Sequence, residues 1–249
     1  MTKFGETNRL SEIITQNIAT ATISIIIPTL NEAQNIKAAL ASIQPSTHIE
    51  IIVVDGGSQD ETVNIAKSLG VKVISAAAGR AKQMNAGAAV ASGEILLFLH
   101  ADTCLPLGFD VMVREALAQP GVFAGAFALR IGAEQPSLRV IEWGVNVRSR
   151  FLQMPYGDQA IFLTKKIFNY VGGFPDLPIM EDFELMRRLR SLGKITIISV
   201  PIITSARRWL KKGVWQTTFL NQIVIIAYFL GISPQRLRTW YRQEKFKKF

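Results

Sequence analysis

The chain has 249 residues, 49% of them hydrophobic, which suffices for one large core or one core with an appendage. Its single cysteine, Cys104, excludes an internal disulfide framework, fits a reducing compartment and reads as a small packing residue rather than a nucleophile. The net charge of +9 sits wholly in the tail: residues 1–200 carry 18 basic and 18 acidic side chains, whereas residues 201–249 carry ten basic ones against Glu244 alone. Such a tail points to an anionic partner.

Residues 1–20 are mostly polar, with Leu10, Ile13, Ile14 and Ile18 at the spacing of a short amphipathic helix, and are expected to form a loosely held extension. No apolar run there is long enough for a signal peptide. Ile23 to Pro28 reads as a buried strand, and Asn31 is placed to cap a helix from Glu32 to Ile43. Ile49 to Val54 is a second strand; the turn Asp55 to Asp60 feeds a helix with Ser58 as its cap. Val71 to Ile74 is a third strand, Ala81 to Ala91 a helix, and Ile95 to Leu99 a fourth strand. This alternation predicts an α/β fold with a parallel sheet.

After about residue 120 the pattern changes. Gly121 to Ile131 reads as a strand of the same sheet or its antiparallel edge, Ser137 to Arg150 as a helix, and Ala160 to Leu163 as a short strand. Gly172 to Pro175 is a turn, Pro178 opens a further helix, and Ile195 to Val200 is the last strand.

Two acidic positions carry chemical information. Asp182 shares a helical face with Leu185, Met186 and Leu189, and a carboxylate on a core-facing stripe is costly unless paired or working. Asp102, in His100-Ala101-Asp102, lies just past the end of a buried strand, the edge where open α/β sheets bind ligands. The pair suggests metal-assisted transfer with a separate general base.

Four motifs occur in order: Pro28-Thr29-Leu30-Asn31-Glu32 after the first strand, Val53-Val54-Asp55-Gly56-Gly57-Ser58 after the second, His100-Ala101-Asp102 after the fourth, and Glu181-Asp182 later. Over about residues 23–200 this set resembles the family 2 glycosyltransferases of the GT-A fold, a Rossmann-like, mostly parallel sheet flanked by helices. Gly79-Arg80-Ala81-Lys82-Gln83-Met84-Asn85-Ala86-Gly87, His-Ala-Asp and Tyr156-Gly157-Asp158-Gln159 are similar to the selenodomain-associated transferase subgroup. The resemblance implies a donor site formed by Pro28, Asn31, Glu32, Asp55, Gly56, Arg80, His100, Ala101 and Asp102. Glu32 and Asp55 would accept hydrogen bonds from base and ribose, and Arg80 would meet the diphosphate. Asp55-Gly56-Gly57 also reads as a simple turn, and Arg80 as a solvated helix start.

His100 replaces the first acid of the usual DxD motif. Asp102 keeps the metal position, for Mg²⁺ or Mn²⁺, with His100 as a ligand better suited to Mn²⁺, a ribose contact, or a packed polar residue. Asp182 matches the general base. Tyr156, Asp158, Gln159, Gly173 and Glu181 match the acceptor side, although a turn role suits Asp158-Gln159 as well. The implied activity is inverting transfer of a sugar from a nucleotide-diphosphate sugar to an acceptor hydroxyl, a lipid hydroxyl included.

The division expected is an extension over 1–20, a transferase domain over 21–206 and a basic helical tail over 207–249. Residues 213–235 carry no charge but are interrupted by Gln216, Thr217, Thr218, Asn221 and Gln222, which argues against a membrane span. Two readings stand: an interfacial helix on an anionic membrane, using Trp215, Phe219, Leu220, Ile223, Ile226, Phe229 and Leu230, or a helix closing over the core. The expected location is cytoplasmic, peripheral to the membrane face in the first case, with no nucleic-acid partner. A sugar-phosphate nucleotidyltransferase is the alternative enzyme, but it would place a Gly-rich loop with Arg where Pro28 to Glu32 stands. A non-catalytic nucleotide- or membrane-binding module would leave Asp182 dispensable.

Overall fold

The computed structural model describes residues 18–44 and 48–242; most of the expected N-terminal helix and the basic end from residue 243 lie outside them. Ile18–Thr20 is a single 3-10 turn with Ile18 buried. β1 (Ile23–Thr29) follows, buried at every position, as expected of a strand covered on both faces. Then come α1 (Ile36–Ala41), β2 (Ile49–Asp55), α2 (Thr62–Ser68), β3 (Lys72–Ser75), α3 (Arg80–Val90) and β4 (Ile95–Phe98). β1 pairs in parallel with β2 and β4, and β2 with β3. α3 lies directly on this sheet because of Gly87: a Cβ there would sit 2.4 Å from Ile26 Cγ2 and 3.0 Å from Val54 Cγ2.

The second half adds β5 (Thr103–Cys104), α4 (Phe109–Ala118), β6 (Val122–Ile131), α5 (Pro136–Leu152), β7 (Phe162–Thr164), α6 (Lys165–Tyr170), α7 (Glu181–Arg190) and β8 (Lys194–Thr204). The eight strands run in the order β3-β2-β1-β4-β7-β6-β8-β5. β7 is antiparallel to both β4 and β6, while β6 is parallel to β8. The strand over 121–131 is therefore internal to the sheet, not its edge. α8 (Arg207–Lys212), α9 (Val214–Phe229) and α10 (Pro234–Arg242) complete the chain.

Local signals misplaced several boundaries. Asn31 does not cap a helix: it adopts φ 56°, its Oδ1 accepts from Gln59 N at 2.8 Å, and α1 begins only at Ile36. Ser58 does not cap α2, since its hydroxyl accepts from Asn31 N at 2.9 Å instead. The two loops hold each other, and that long-range pairing outweighs the local caps. α7 starts at Glu181 rather than Pro178, because Met180 takes φ 71° and turns the chain into the helix. β8 continues past Val200 through Pro201; the register with β6 slips between Phe127 and Ala128, an irregularity that accommodates a residue without an N–H.

The tail packs on the body. Thr217, Leu220, Val224 and Ala227 of α9 are buried, as is Leu237 of α10. Phe183 of α7 stacks edge-on with Tyr228 and Phe229 at 5.9 and 5.5 Å between ring centroids. The outer face of α9 leaves Trp215, Phe219, Ile226, Phe229 and Leu230 exposed. Among the described residues no helix is long and apolar enough to cross a membrane.

Candidate functional site

The parallel strands β1, β2 and β4 deliver their following loops to one edge of the sheet, Thr29 lying beside Asp55 in register. There a cavity of about 660 Å³ opens between the sheet edge, the start of α3, the segment leading into α7, and α8–α10. Pro28, Glu32, Arg80, His100, Ala101, Asp102, Tyr156, Asp158, Glu181 and Asp182 line it.

Other candidates do not line the cavity. Asp55 is buried, and its Oδ2 accepts from Gly57 N and Ser58 N at 2.9 and 3.0 Å. Gly56 sits against Gln83, whose amide donates to Thr29 O and Val54 O at 2.8 Å each, so this glutamine ties the first two loops together. Asn31 is engaged with the same loops. Gln159 is fully buried; its Oε1 accepts from Ser149 Oγ at 2.7 Å and its Nε2 donates to Phe127 O at 2.9 Å. Gly173 occupies a left-handed turn (φ 66°) beside Asn85, which bonds both backbone groups of Phe174.

The geometry of the carboxylates distinguishes them. Asp182 Oδ2 accepts from Gly157 N at 2.7 Å and Oδ1 from Phe183 N at 2.7 Å, so two backbone donors fix its orientation at the helix start. A Cβ on Gly157 would lie 3.2 Å from both Asp182 Oδ2 and His100 Nε2; glycine allows the loop to approach both groups. Glu181 is buried, 3.9 Å from Arg80 Nε. Burial, followed by the charge of Asp182, raises its carboxyl above the usual range, while Arg80 opposes. Glu184 pairs with Arg188 at 3.6 Å and more closely with Arg187, at 2.7 Å.

His100 is pushed down to about 3, first by burial and then by the charge of Arg80, and is therefore neutral at physiological pH. Burial and the neighbouring Glu32 raise Asp102, with Arg207 opposing. Arg207, at the start of α8, places Nη2 2.9 and 3.1 Å from the two Glu32 oxygens and 4.0 Å from Asp102 Oδ2. The sequence reading missed this residue as part of the site. It also missed Arg208, Trp209, Thr217, Asn221, Val224 and Ile225 of α8 and α9, which line the same cavity. The available signal was the set of polar interruptions in the uncharged run.

Asp158 is pushed up to about 6, first by burial and then by Asp182 and Asp102, against the opposing charges of Arg148 and Arg80. A carboxyl whose pKa is higher folded than unfolded binds more protons in the native state between about pH 4 and 6, so its contribution to stability falls as pH rises through that window. Asp158→Asn is accordingly expected to raise the melting temperature at pH 7.5, with the gain shrinking to nothing below about pH 4. Thermal melts of both proteins across that range check it; a gain that does not vary with pH overturns the assignment.

Among the described residues no cluster of three or more His, Cys, Asp or Glu is arranged around a metal. Asp102 nonetheless suits a hard cation that takes its other ligands from substrate phosphates. It faces the cavity, and its ionised form is disfavoured by burial and by Glu32, a disadvantage that a nearby cation relieves.

The family model for glycosyl transferase family 2 matches residues 24–174. A PGL/p-HBAD biosynthesis glycosyltransferase of Mycobacterium bovis is 33% identical over 178 residues, which cover 63% of this chain and 64% of that protein. The chain thus spans less than two thirds of that relative's length. A 4,4'-diaponeurosporenoate glycosyltransferase of Staphylococcus haemolyticus is 35% identical over 92 residues, 33% of this chain and 24% of its own. Among solved structures, the mannosyltransferase PcManGT of Pyrobaculum calidifontis, in complex with GDP-Man and Mn²⁺, superposes with a TM-score of 0.64 at 20% identity, covering 96% of this chain and 76% of that one. The glucosyl-3-phosphoglycerate synthase of Mycobacterium tuberculosis, with Mn²⁺, UDP and phosphoglyceric acid, gives 0.57 at 21% identity, covering 80% and 73%. These likenesses establish the GT-A fold.

Proposed function

The chain belongs to glycosyl transferase family 2, and from that premise we propose that it is a metal-dependent, inverting transferase moving a sugar from a nucleotide-diphosphate sugar to an acceptor hydroxyl. The observation that carries the reading is Asp182: a carboxylate held by two backbone donors in the same cavity as Arg80 and Asp102.

In this mechanism Asp182 takes the proton of the acceptor hydroxyl. The acceptor oxygen bonds to the anomeric carbon as the carbon–oxygen bond to the diphosphate breaks, and the electron pair leaves on the diphosphate. Attack opposite the leaving group inverts the centre through an oxocarbenium-like state. Arg80, at the first turn of α3, stabilises the departing charge. Asp102 would hold Mg²⁺ or Mn²⁺, which offsets negative charge on the diphosphate when bound; neutral His100 stands near enough in sequence to contribute a nitrogen ligand or a ribose contact. Pro28, Asn31, Glu32, Asp55 and Gly56 shape the nucleoside end, Asn31, Asp55 and Gly56 by holding the loops rather than by lining the cavity. Tyr156, Asp158 and Glu181 border the acceptor side, with Gln159 and Gly173 supporting from behind.

Residues 21–206 form the transferase unit in this reading, and residues 207–249 a tail that closes the cavity. The uncharged outer face of α9 and the basic tail also hold the enzyme peripherally on the cytoplasmic face of an anionic membrane. Sedimentation with phosphatidylserine vesicles should then carry the protein down at low salt and release it at high salt; no sedimentation at low salt excludes this contact. The transferase reading is tested by hydrolysis of a panel of GDP- and UDP-sugars with Mg²⁺ or Mn²⁺. Metal-stimulated release of nucleoside diphosphate from one of them is expected. Binding of nucleotide without turnover on any donor or acceptor supports a non-catalytic module instead.

A further inference from the structure

Helix α5 is amphipathic in the reverse sense, with polar groups turned inward. β7 pairs with β6 only at Ala124 and Gly125, and beyond them this edge of β6 has no partner strand among the described residues. Side chains of α5 close it instead. Asn146 accepts from Leu129 N at 2.8 Å and donates to Leu129 O at 3.0 Å. Glu142 accepts from Ile131 N, and Arg139 donates to Ile131 O at 2.7 Å. Buried backbone groups need partners, and the inward face of the helix is spent on supplying them.

The apolar residues are left outside. Val140, Trp143, Val147 and Phe151 recur at intervals of three, four and four, which places them on one stripe of the helix. Trp143 is 69% and Phe151 81% exposed. Trp143, Val147 and Phe151 line a cleft of about 580 Å³ together with Arg130, Arg150 and Pro201. An apolar surface of this kind, rimmed by charge, marks a contact.

The charges indicate what covers it. Arg139 is balanced by Glu142 at 3.0 Å, whereas Arg130 and Arg150 are exposed and form no hydrogen bond or ion pair among the described residues. A second copy of the chain suits the patch poorly, because a two-fold contact sets the patch against itself and brings the arginines together. An uncharged partner leaves them unmatched. An anionic bilayer answers both features: aromatic and aliphatic groups enter its interface, and guanidinium groups reach its phosphates.

We propose that the outer face of α5 and the cleft beside it form a membrane contact, with Trp143, Val147 and Phe151 entering the interface of an anionic bilayer and Arg130 and Arg150 holding lipid phosphates. This contact is distinct from the one proposed for α9, although the two helices touch. It does not rest on the transferase reading.

The single cysteine permits a site-specific label on the full chain. In Cys104→Ala protein, a nitrobenzoxadiazole label on Phe151→Cys should brighten and shift to the blue on vesicles of phosphatidylcholine and phosphatidylserine, and not on phosphatidylcholine alone. The same label on Lys67→Cys should not respond, since α2 lies on β3 at the other end of the sheet. Arg130→Gln with Arg150→Gln, and Trp143→Ser with Phe151→Ser, should each weaken vesicle binding at least about tenfold. All four side chains are exposed, so melting temperatures should not change.

Trp215→Ser with Phe219→Ser removes part of the α9 face for comparison. If that variant alone loses binding while both α5 variants bind like the wild type, the contact belongs to α9 and the proposal falls. Absence of vesicle binding in the wild type overturns both contacts. A dimer in sedimentation velocity that Trp143→Ser with Phe151→Ser dissociates would assign the face to a second copy instead. None of these readouts uses nucleotide-sugar hydrolysis, so failure here is distinguishable from failure of the transferase reading.

Discussion

Asp182→Asn is expected to lower transfer by at least about 10²-fold, the scale on which a positioned base contributes, with donor affinity little changed. The substitution keeps shape and leaves an oxygen to accept from Gly157 N, the bond that now fixes Oδ2 at 2.7 Å, so the loop carrying Tyr156 and Asp158 should stay in place. The loss should fall on turnover, because an amide cannot take the acceptor proton. Glu181 is not a ready substitute: it is buried beside Arg80. Steady-state kinetics together with direct titration of the nucleotide sugar decide the matter. Equal losses in donor binding and turnover would reveal a structural or nucleotide-binding role. A small effect would mean that the acceptor needs no base, as a phosphate would not.

Asp102→Asn should remove metal stimulation of donor hydrolysis, leaving the rate near its metal-free background. In the proposed mechanism this carboxylate holds the cation, and the amide that replaces it offers no charge. Stability should not suffer, since the ionised form is already disfavoured by burial and by Glu32. Arg207 is paired with Glu32 at 2.9 Å, a contact that the substitution does not touch. Two readouts check this: hydrolysis against Mn²⁺ concentration, and retention of Mn²⁺ by protein with UDP or GDP followed by electron paramagnetic resonance. Metal-stimulated turnover equal to the wild type overturns the role.

β1 and β4 were legible as short apolar runs closed by a turn, since a strand buried on both faces needs nothing more; β2 and β3 were legible as apolar segments broken by Glu50 and Lys72 and likewise closed by turns. The loops after them were legible in position and less so in contact. Asn31 and Ser58 look like helix caps because their local sequence favours caps, but each spends its hydrogen bonds on the opposite loop, 27 and 28 positions away in the chain. Asp55 reads as a ligand contact in the motif, yet in the fold its carboxylate closes its own turn. Asp182 was legible from periodicity, whereas Gly157 as its hydrogen-bond donor was not, since nothing in either segment encodes their meeting. Arg207 was counted only as one charge in a basic tail; its approach to Glu32 spans 175 positions. Thr217 and Asn221 counted against a membrane span because they are polar. Which way they point depends on where α9 docks.

The cavity walls have separate addresses in the gene. The sheet edge and α3 come from residues before about 105, whereas α8 to α10 form one uninterrupted C-terminal stretch. A wall encoded as a single contiguous stretch can be exchanged, duplicated or diversified without altering a codon of the opposite wall. Grafting the stretch after Ser205 between proteins of this fold would therefore change one side of the cavity as a module, with the junction falling just before Arg207, the residue that joins the two parts.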